Sequence, residues 1–329
     1  MVAIPYYQGR LTGRQPQFIG LLLLIAVFLL PTLHPGRMGW ITSLIPLPVF
    51  YYLVRLGKKE GSLLIRNAIL ISGGAALLVG SLPLLIFSLT LVPLGIAFSF
   101  SLFNRTSPVG AALRGSLVLG VIWLVFWVVF GLIHATNPYT SLLKELDQGL
   151  ASGFALYQEN AELPSETLAS IRSAVELLRA FIPKILPALL ISVVLSTAWL
   201  NLALGNWLLK SKDADLSPWP EYKDWQLPDS LVWGVIIGGA LLILLPAPLS
   251  TLGLNIILIC VTVFFFQGLS IVSSLLFKWS VPRPLRFLIY GLIFVQTYGI
   301  ILLSFFGLAD VWADFRKLNQ VNEGQAGTV

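Results

Sequence analysis

Polar side chains within long apolar runs are the residues of this sequence with the clearest capacity for chemistry. Five of them are candidate ligand-binding residues: Asn67, Arg114, Asn255, Gln267 and Gln296. A polar group in the hydrocarbon layer is costly without a partner, so such residues mark ligand sites or structural hydrogen bonds. An amide can hold the polar end of a solute, and it can equally bridge two helices without a ligand. Arg114 can instead extend its guanidinium to lipid headgroups.

The amides of Asn255 and Gln267 lie in one apolar segment but cannot belong to one compact ligand contact without a helix break. They are twelve residues apart, which in an α-helix separates them by about 120° in azimuth and roughly 18 Å along the axis. We therefore expect each amide to have its own partner.

The motifs of common catalytic and metal sites are missing from the sequence. His34 and His134 are not part of an H-E-x-x-H motif, and no P-loop, dinucleotide-binding glycine turn or G-x-S-x-G elbow occurs. Cys260 is the single cysteine, so neither an intramolecular disulfide nor a cysteine-based metal site is predicted. We expect no enzymatic activity, no metal and no cofactor.

Uncharged apolar runs dominate the chain and predict its fold class. The sequence is 57% hydrophobic and 11% charged, against roughly 25% charge in soluble domains. The longest runs, 67–104 and 230–277, far exceed the roughly 20 residues that a helix needs to cross the bilayer. Since these runs lack the alternation of barrel strands, we predict an all-α polytopic transmembrane bundle of about 8–9 spans. The predicted segments are 17–33, 40–56, 62–80, 82–103, 109–134, 183–209, 229–248, 253–277 and 285–308.

The segment 40–56 has two interpretations. It is short and contains Pro46 and Pro48, which disrupt a helix interior. It could span the membrane, or it could enter and leave on one side, which would invert the orientation of everything after it.

Lys and Arg residues predict the orientation, because cytoplasmic loops are enriched in them. They concentrate in loops that are cytoplasmic if the N-terminus is cytoplasmic, and we expect that orientation. The net charge of +6 is then a topology signal, and nucleic acid is not an expected partner. The expected partners are membrane lipids and other membrane proteins.

The chain is expected to have four parts. Residues 1–134 and 183–309 supply the transmembrane helices, 135–182 is an external insertion, and 310–329 is an interfacial helix with a frayed tail. Apolar residues of the insertion recur at helical spacing and predict two amphipathic helices. These helices could lie on the membrane, cover the protein's own bundle or dock a partner.

The interfacial helix carries the candidate partner-docking residues Asp310, Trp312, Asp314, Phe315 and Arg316. Asp310 and Asp314 are one helical turn apart and would repel each other unless Arg316 or Lys317 neutralises them. Anchoring of Trp312 at the membrane surface would explain the segment without a partner.

Several motifs resemble those of a known family. The most specific are Phe266-Gln267-Gly268-Leu269-Ser270 and the terminal Asp310-Val311-Trp312-Ala313-Asp314-Phe315-Arg316, and Leu56-Gly57-Lys58-Lys59-Glu60-Gly61 adds to them. They resemble the YybS-like family of predicted bacterial integral membrane proteins, which is distantly similar to the S-components of energy-coupling-factor transporters. The resemblance implies a bacterial cytoplasmic membrane and an S-component-like helical bundle with a central solute site. At 329 residues, this chain is longer than a compact S-component.

Two functions fit these expectations. The first is a non-enzymatic membrane protein that binds a small or lipophilic ligand within its bundle and presents it to partner proteins. The alternative is a non-catalytic scaffold subunit of a larger inner-membrane complex, which would use 135–182 and the C-terminal motif for assembly.

Overall fold

The computed structural model of the protein describes residues 14–159 and 164–316. Over these residues the regular structure is helical and contains no β-strand, which confirms the predicted all-α class. The α-helices are α1 Arg14–Leu33, α2 Pro35–Met38, α3 Pro46–Val79, α4 Leu82–Leu89, α5 Val92–Phe103, α6 Pro108–His134, α7 Pro138–Gln158, α8 Ser165–Lys212, α9 Val232–Leu244, α10 Leu249–Lys278, α11 Arg283–Val295 and α12 Thr297–Ala313. Short 3-10 turns at Gly39–Leu44, Ala214–Leu216, Tyr222–Asp224 and Asp229–Leu231 connect some of them.

Fewer helices meet the requirements of a membrane span than the sequence predicts. Within the described ranges, five helical stretches are long and apolar enough to cross a bilayer, namely Pro35–Val79, Leu82–Phe103, Pro108–His134, Ser165–Lys212 and Leu249–Lys278. A sixth is added if Arg283–Ile293 and Tyr298–Ala313, which meet at 102°, count as one span. The segments predicted at 17–33 and 229–248 are shorter apolar helices, Gln17–Leu33 and Asp229–Leu244. The predicted span 285–308 corresponds to this bent pair, since the chain turns sharply between α11 and α12.

The described residues form two compact units, of which the larger comprises 14–122, 193–229 and 261–316. In this unit, α1 packs against α3, and α3 packs against α5. Phe50 lies at the centre of the core, edge-to-face with Phe98 at 5.9 Å and stacked with Trp219 at 6.0 Å between ring centroids. A Cβ at Gly205 would lie 2.5 Å from the Phe50 ring, so a glycine lets α8 approach this core closely.

Two glycines fold α3 back on itself. Gly57 has φ +81° and ψ 166° and interrupts the helix, a conformation that residues with a Cβ rarely adopt. At Gly61 a Cβ would lie 2.9 Å from both Cα of Leu53 and the carbonyl oxygen of Tyr52, so the two segments meet through backbone. The first segment, 46–56, measures only roughly 16 Å. That length is about half of the hydrocarbon thickness, so a crossing at 40–56 also needs the length of the 3-10 turn Gly39–Leu44.

The smaller unit comprises 123–159, 164–192 and 230–260. Here α7 lies beside the first part of α8, joined by an ion pair of 2.6 Å between Arg179 and Asp147. The Tyr139 hydroxyl also donates to the Pro183 carbonyl at 3.1 Å. The predicted amphipathic helix before residue 183 and the predicted span after it lie in one continuous helix, because α8 runs for 48 residues through Pro183 and Pro187.

Candidate functional site

Asn255 binds the backbone of α8 next to its two prolines. Its Oδ1 accepts the backbone N–H of Ala188 at 2.8 Å, and its Nδ2 donates to the carbonyl of Lys184 at 2.7 Å. In a regular α-helix these two backbone groups bond each other, because N–H of residue i bonds C=O of residue i−4. The amide thus sits between both ends of a proline-containing turn. Asn255 is an interhelical bridge in the smaller unit.

A buried charge cluster in the larger unit is formed by Gln267, Ser270, Asp310 and Arg316. The side chains of Arg316 and Asp310 are 3% and 1% exposed, and their ion pair measures 2.9 Å. Gln267 donates to Asp310 at 2.8 Å and accepts the backbone N–H of Leu227 at 3.1 Å. The Asp310 carboxylate also accepts the backbone N–H of Phe315 at 2.9 Å. Both charges are thus paired and hydrogen-bonded, as buried charges require.

Arg316 also joins the cluster to the segment between α8 and α9. Its guanidinium donates to the carbonyls of Lys223 and Trp225, at 2.8 and 2.9 Å, and to the Ser270 hydroxyl at 2.8 Å. One side chain therefore holds the end of α12, the middle of α10 and residues 223–225. The cluster therefore stabilises the protein's own fold by joining these three parts of the chain.

Aromatic rings pack against Tyr222 and Trp225 in the segment between α8 and α9. Trp199 stacks on Phe266 at 5.1 Å and meets Trp225 edge-to-face at 5.3 Å between centroids. The Tyr222 hydroxyl donates to the Phe266 carbonyl at 2.7 Å and accepts from the Trp199 indole at 3.3 Å. Burial raises the pKa of Tyr222 well above its ordinary value of 10, so this hydroxyl stays protonated and keeps donating.

An apolar groove lies between the second segment of α3 and α5. Its volume is about 400 Å³, in the range of small-molecule sites. Leu53 and Ile65, which are buried, and Ile96, which is half-exposed, line it. The cationic lining residues are Lys58 and Arg66, both on α3. A second depression of about 380 Å³, between the start of α6 and residues 220–229, is more polar.

The five predicted ligand residues do not converge on one site. Asn255 and Gln267 are buried in the separate networks described above. Asn67 is exposed and does not line the groove, although its neighbour Arg66 does. Arg114 is exposed and donates to the Thr106 hydroxyl at 2.9 Å. Gln296 is exposed at the bend between α11 and α12.

The C-terminal residues differ from the prediction in a specific way. Of the expected interfacial helix, residues 310–313 form the last turn of α12, and the helix ends there because Asp314 takes a left-handed conformation with φ 39°. Arg316 then turns inward to neutralise Asp310. Trp312 and Phe315 remain exposed, and Asp314 is half-exposed. Lys317 and the predicted tail lie outside the described residues.

Sequence reasoning missed several members of these sites. The sequence pattern does not single out Lys58, Ser270, Tyr222 or Trp225, because none of them interrupts an apolar run in a distinctive way. The Gln-Gly-Leu-Ser motif that contains Ser270 was the available clue. Within the described residues, no group of three His, Cys, Asp or Glu side chains could hold a metal ion.

Several apolar helices of spanning length, in an all-helical fold with polar bridges between helices, define a multi-pass membrane protein. A family model described as "Predicted membrane protein (DUF2232)" matches residues 19–311, and the chain belongs to this family. Comparison with curated proteins and with solved structures gave no match.

Proposed function

We propose that this chain is a non-catalytic protein of the bacterial cytoplasmic membrane that binds a small or lipophilic ligand in its helical bundle and presents it to partner proteins. The observation that carries the proposal is the groove between α3 and α5. It combines an apolar lining with two bases, which is the composition that an amphiphilic molecule fits. Membership of a membrane protein family supports the location.

The finer features of the proposal come from the sequence. They are an S-component-like bundle, a cytoplasmic N-terminus and about 8–9 membrane segments. The fold of α3 at Gly57 supports counting 40–56 and 62–80 as separate segments, with the first re-entrant or spanning. The resemblance to YybS-like proteins supports the comparison with S-components.

A pair of matched variants tests the groove. Ile96→Trp places a large ring in the groove lining, whereas Ile86→Trp makes the same change on α4 outside it. The two isoleucines are 48% and 50% exposed, so the variants differ chiefly in location. We expect Ile96→Trp alone to lose co-purified lipophilic molecules, measured by mass spectrometry of the protein in mild detergent. Equal retention by wild type and both variants would refute the proposal.

The scaffold function remains the alternative, and one observation favours it. The hairpin of α7 and the first part of α8 exposes large apolar side chains, including Leu156, Leu177 and Phe181. Exposed apolar faces of this kind mark membrane or protein contacts.

Deleting residues 141–180 tests the scaffold. The deletion joins chain ends that are already neighbours, because Tyr139 contacts Pro183. If the protein is a scaffold, the deletion variant should lose its stoichiometric partner on affinity purification yet elute as a folded species. If the protein binds a ligand in the groove, the same variant should keep the lipophilic molecules that Ile96→Trp loses.

A further inference from the structure

We infer that the ligand of the apolar groove is a phospholipid with a net negative headgroup, its phosphate lying at Lys58 and Arg66 and an acyl chain lying along the apolar length. This inference rests on the proposed function, because it names the chemical class of the same ligand.

The two bases of the groove carry charges that the described part of the chain leaves without an acidic partner. Over residues 14–159 and 164–316, the ion pairs join other side chains: Arg172 with Glu176, Arg179 with Asp147, Lys223 with Glu221 and Arg316 with Asp310. Lys58 and Arg66 are both exposed. They can therefore meet an external anion without first breaking an internal ion pair.

Aromatic rings hold the Lys58 ammonium at one end of the groove. Its Nζ lies 5.6 Å from the ring centroid of Phe100 and 5.2 Å from that of Phe103, within the range of a cation–π contact. Phe100 also lines the groove. The ammonium is thus fixed beside the apolar surface, where a headgroup and its chain would meet.

The length of the groove matches one leaflet of a membrane. Lys58 and Leu70, which both line it, are twelve residues apart on α3, or roughly 18 Å along a helix. A leaflet contributes about half of the 30 Å hydrocarbon core. Arg66 lies about 12 Å from Lys58 along the axis, and its long side chain can reach toward the headgroup end. The remaining lining toward Leu70 is mainly apolar, as an acyl chain requires.

Net negative charge distinguishes the inferred ligand from other lipids. A phosphatidylcholine headgroup carries its own cation, which would sit beside two protein cations. Phosphatidylglycerol carries the phosphate without that cation, so it gains attraction from both bases. The competing explanation is that both bases only reach bulk headgroups, in which case lipid binding in the groove would show no charge preference.

The experiment measures lipid binding to the full-length protein in neutral detergent by native mass spectrometry. Phosphatidylglycerol, phosphatidylcholine and diacylglycerol with identical chains are the probes. Wild type should prefer phosphatidylglycerol, and Lys58→Gln and Arg66→Gln should each weaken that binding by about fivefold. Lys59→Gln is the matched control, because it removes an adjacent exposed charge that does not line the groove. Raising the salt concentration should reduce the preference, since exposed charges are screened.

The outcomes separate this inference from the proposed function. Equal binding of all three lipids to wild type, with all three reduced by Ile96→Trp, would overturn the inferred preference for an anionic headgroup. The groove would still be supported as the ligand site of the proposed function. Binding that Ile96→Trp does not change for any lipid would overturn the groove itself. A loss in Lys59→Gln equal to that in Lys58→Gln would show a diffuse surface charge effect, and it would also overturn the inference.

Discussion

The side-chain amide of Asn255 makes two hydrogen bonds to the backbone of α8, of the kind that backbone groups make with each other in a regular helix. Pro187 lies within the turn of α8 that runs from Lys184 to Ala188, where its ring crowds the helix and its missing N–H leaves the Pro183 carbonyl to accept from Tyr139 instead. In a membrane, each unsatisfied backbone group costs several kcal/mol. Asn255 bonds both the carbonyl and the N–H of this turn. A structural role therefore accounts for this residue better than contact with a solute.

Replacing Asn255 tests that role. Asn255→Leu keeps the side-chain size but removes both hydrogen bonds, and we expect it to lower the free energy of unfolding by about 0.5–2 kcal/mol. Gln296→Leu is the control, because Gln296 is exposed and should change little. The measurement is thermal unfolding in detergent. Equal stability of both variants and wild type would contradict the bridge.

The Asp310–Arg316 pair should respond sharply to the loss of one partner. Arg316→Gln leaves the Asp310 carboxylate buried without its counter-charge, and we expect a loss of about 3–5 kcal/mol. Adding Asp310→Asn removes the uncompensated charge and should restore part of the stability.

The exposed pair Arg172–Glu176 provides the comparison for this prediction. These side chains are 72% and 60% exposed, so Arg172→Gln should lower the free energy of unfolding by at most about 0.5 kcal/mol. Proteolysis rates in detergent measure all of these variants. If Arg316→Gln resisted proteolysis as well as Arg172→Gln does, the cluster would not be stabilising the fold.

At the scale of helices, α10 and α12 meet through glycine. A Cβ on Gly268 would collide with the carbonyl of Leu303, and a Cβ on Gly307 would collide with the carbonyl of Phe264. The Ser304 hydroxyl donates across the same contact to the Val261 carbonyl at 2.8 Å. Small residues allow such close approach of membrane helices. This contact places Gln267 and Asp310 within hydrogen-bonding distance.

We expect Gly268→Ala to destabilise the protein by about 1–3 kcal/mol, because the added methyl group forces the two backbones apart. Gly239→Ala is the matched control, since a Cβ at Gly239 has no neighbour within 4 Å. Denaturation in a detergent series gives both stabilities. A neutral Gly268→Ala variant would show that α10 and α12 tolerate separation at this point.

The sequence predicts helices well and their partners poorly, for physical reasons. Apolar run length identifies most helices, and the break between the predicted segments 62–80 and 82–103 coincides with the one between α3 and α4. The burial of Arg316 depends on carbonyls of Lys223 and Trp225, which lie 93 and 91 residues away. No local pattern reveals such a contact, so the sequence predicts that Arg316 and the rest of the C-terminal motif are exposed. The amide of Asn255 is recognisable as costly, but its partner depends on a turn 67 residues away.

At the scale of the whole molecule, the fold of α3 determines the orientation of later segments. If residues 40–56 cross the membrane and the N-terminus is cytoplasmic as proposed, Lys59 lies inside and the α7 region lies outside. If they are re-entrant, both assignments reverse. The hairpin at Gly57 is compatible with either path, and measuring which side position 59 faces separates the two paths.

Labelling of single cysteines in intact cells makes that measurement. Cys260→Ser removes the native thiol, and Ser152→Cys or Lys59→Cys then introduces one exposed site. For the proposed topology we expect an impermeant maleimide to label position 152 in intact cells and position 59 only after lysis. The reversed pattern would establish the re-entrant path, and labelling of both positions would contradict the proposed orientation.

The bridge at Asn255 also constrains how the protein is made. The ribosome synthesises Lys184 and Ala188 well before Asn255, so α8 enters the insertion machinery when its partner amide does not yet exist. Until α10 arrives, the two backbone groups of the proline turn lack this amide and bond each other, water or the translocon. The bridge is therefore completed only by a later helix, and we expect a nascent chain stalled before α10 to be cleaved by membrane proteases faster than the full-length chain.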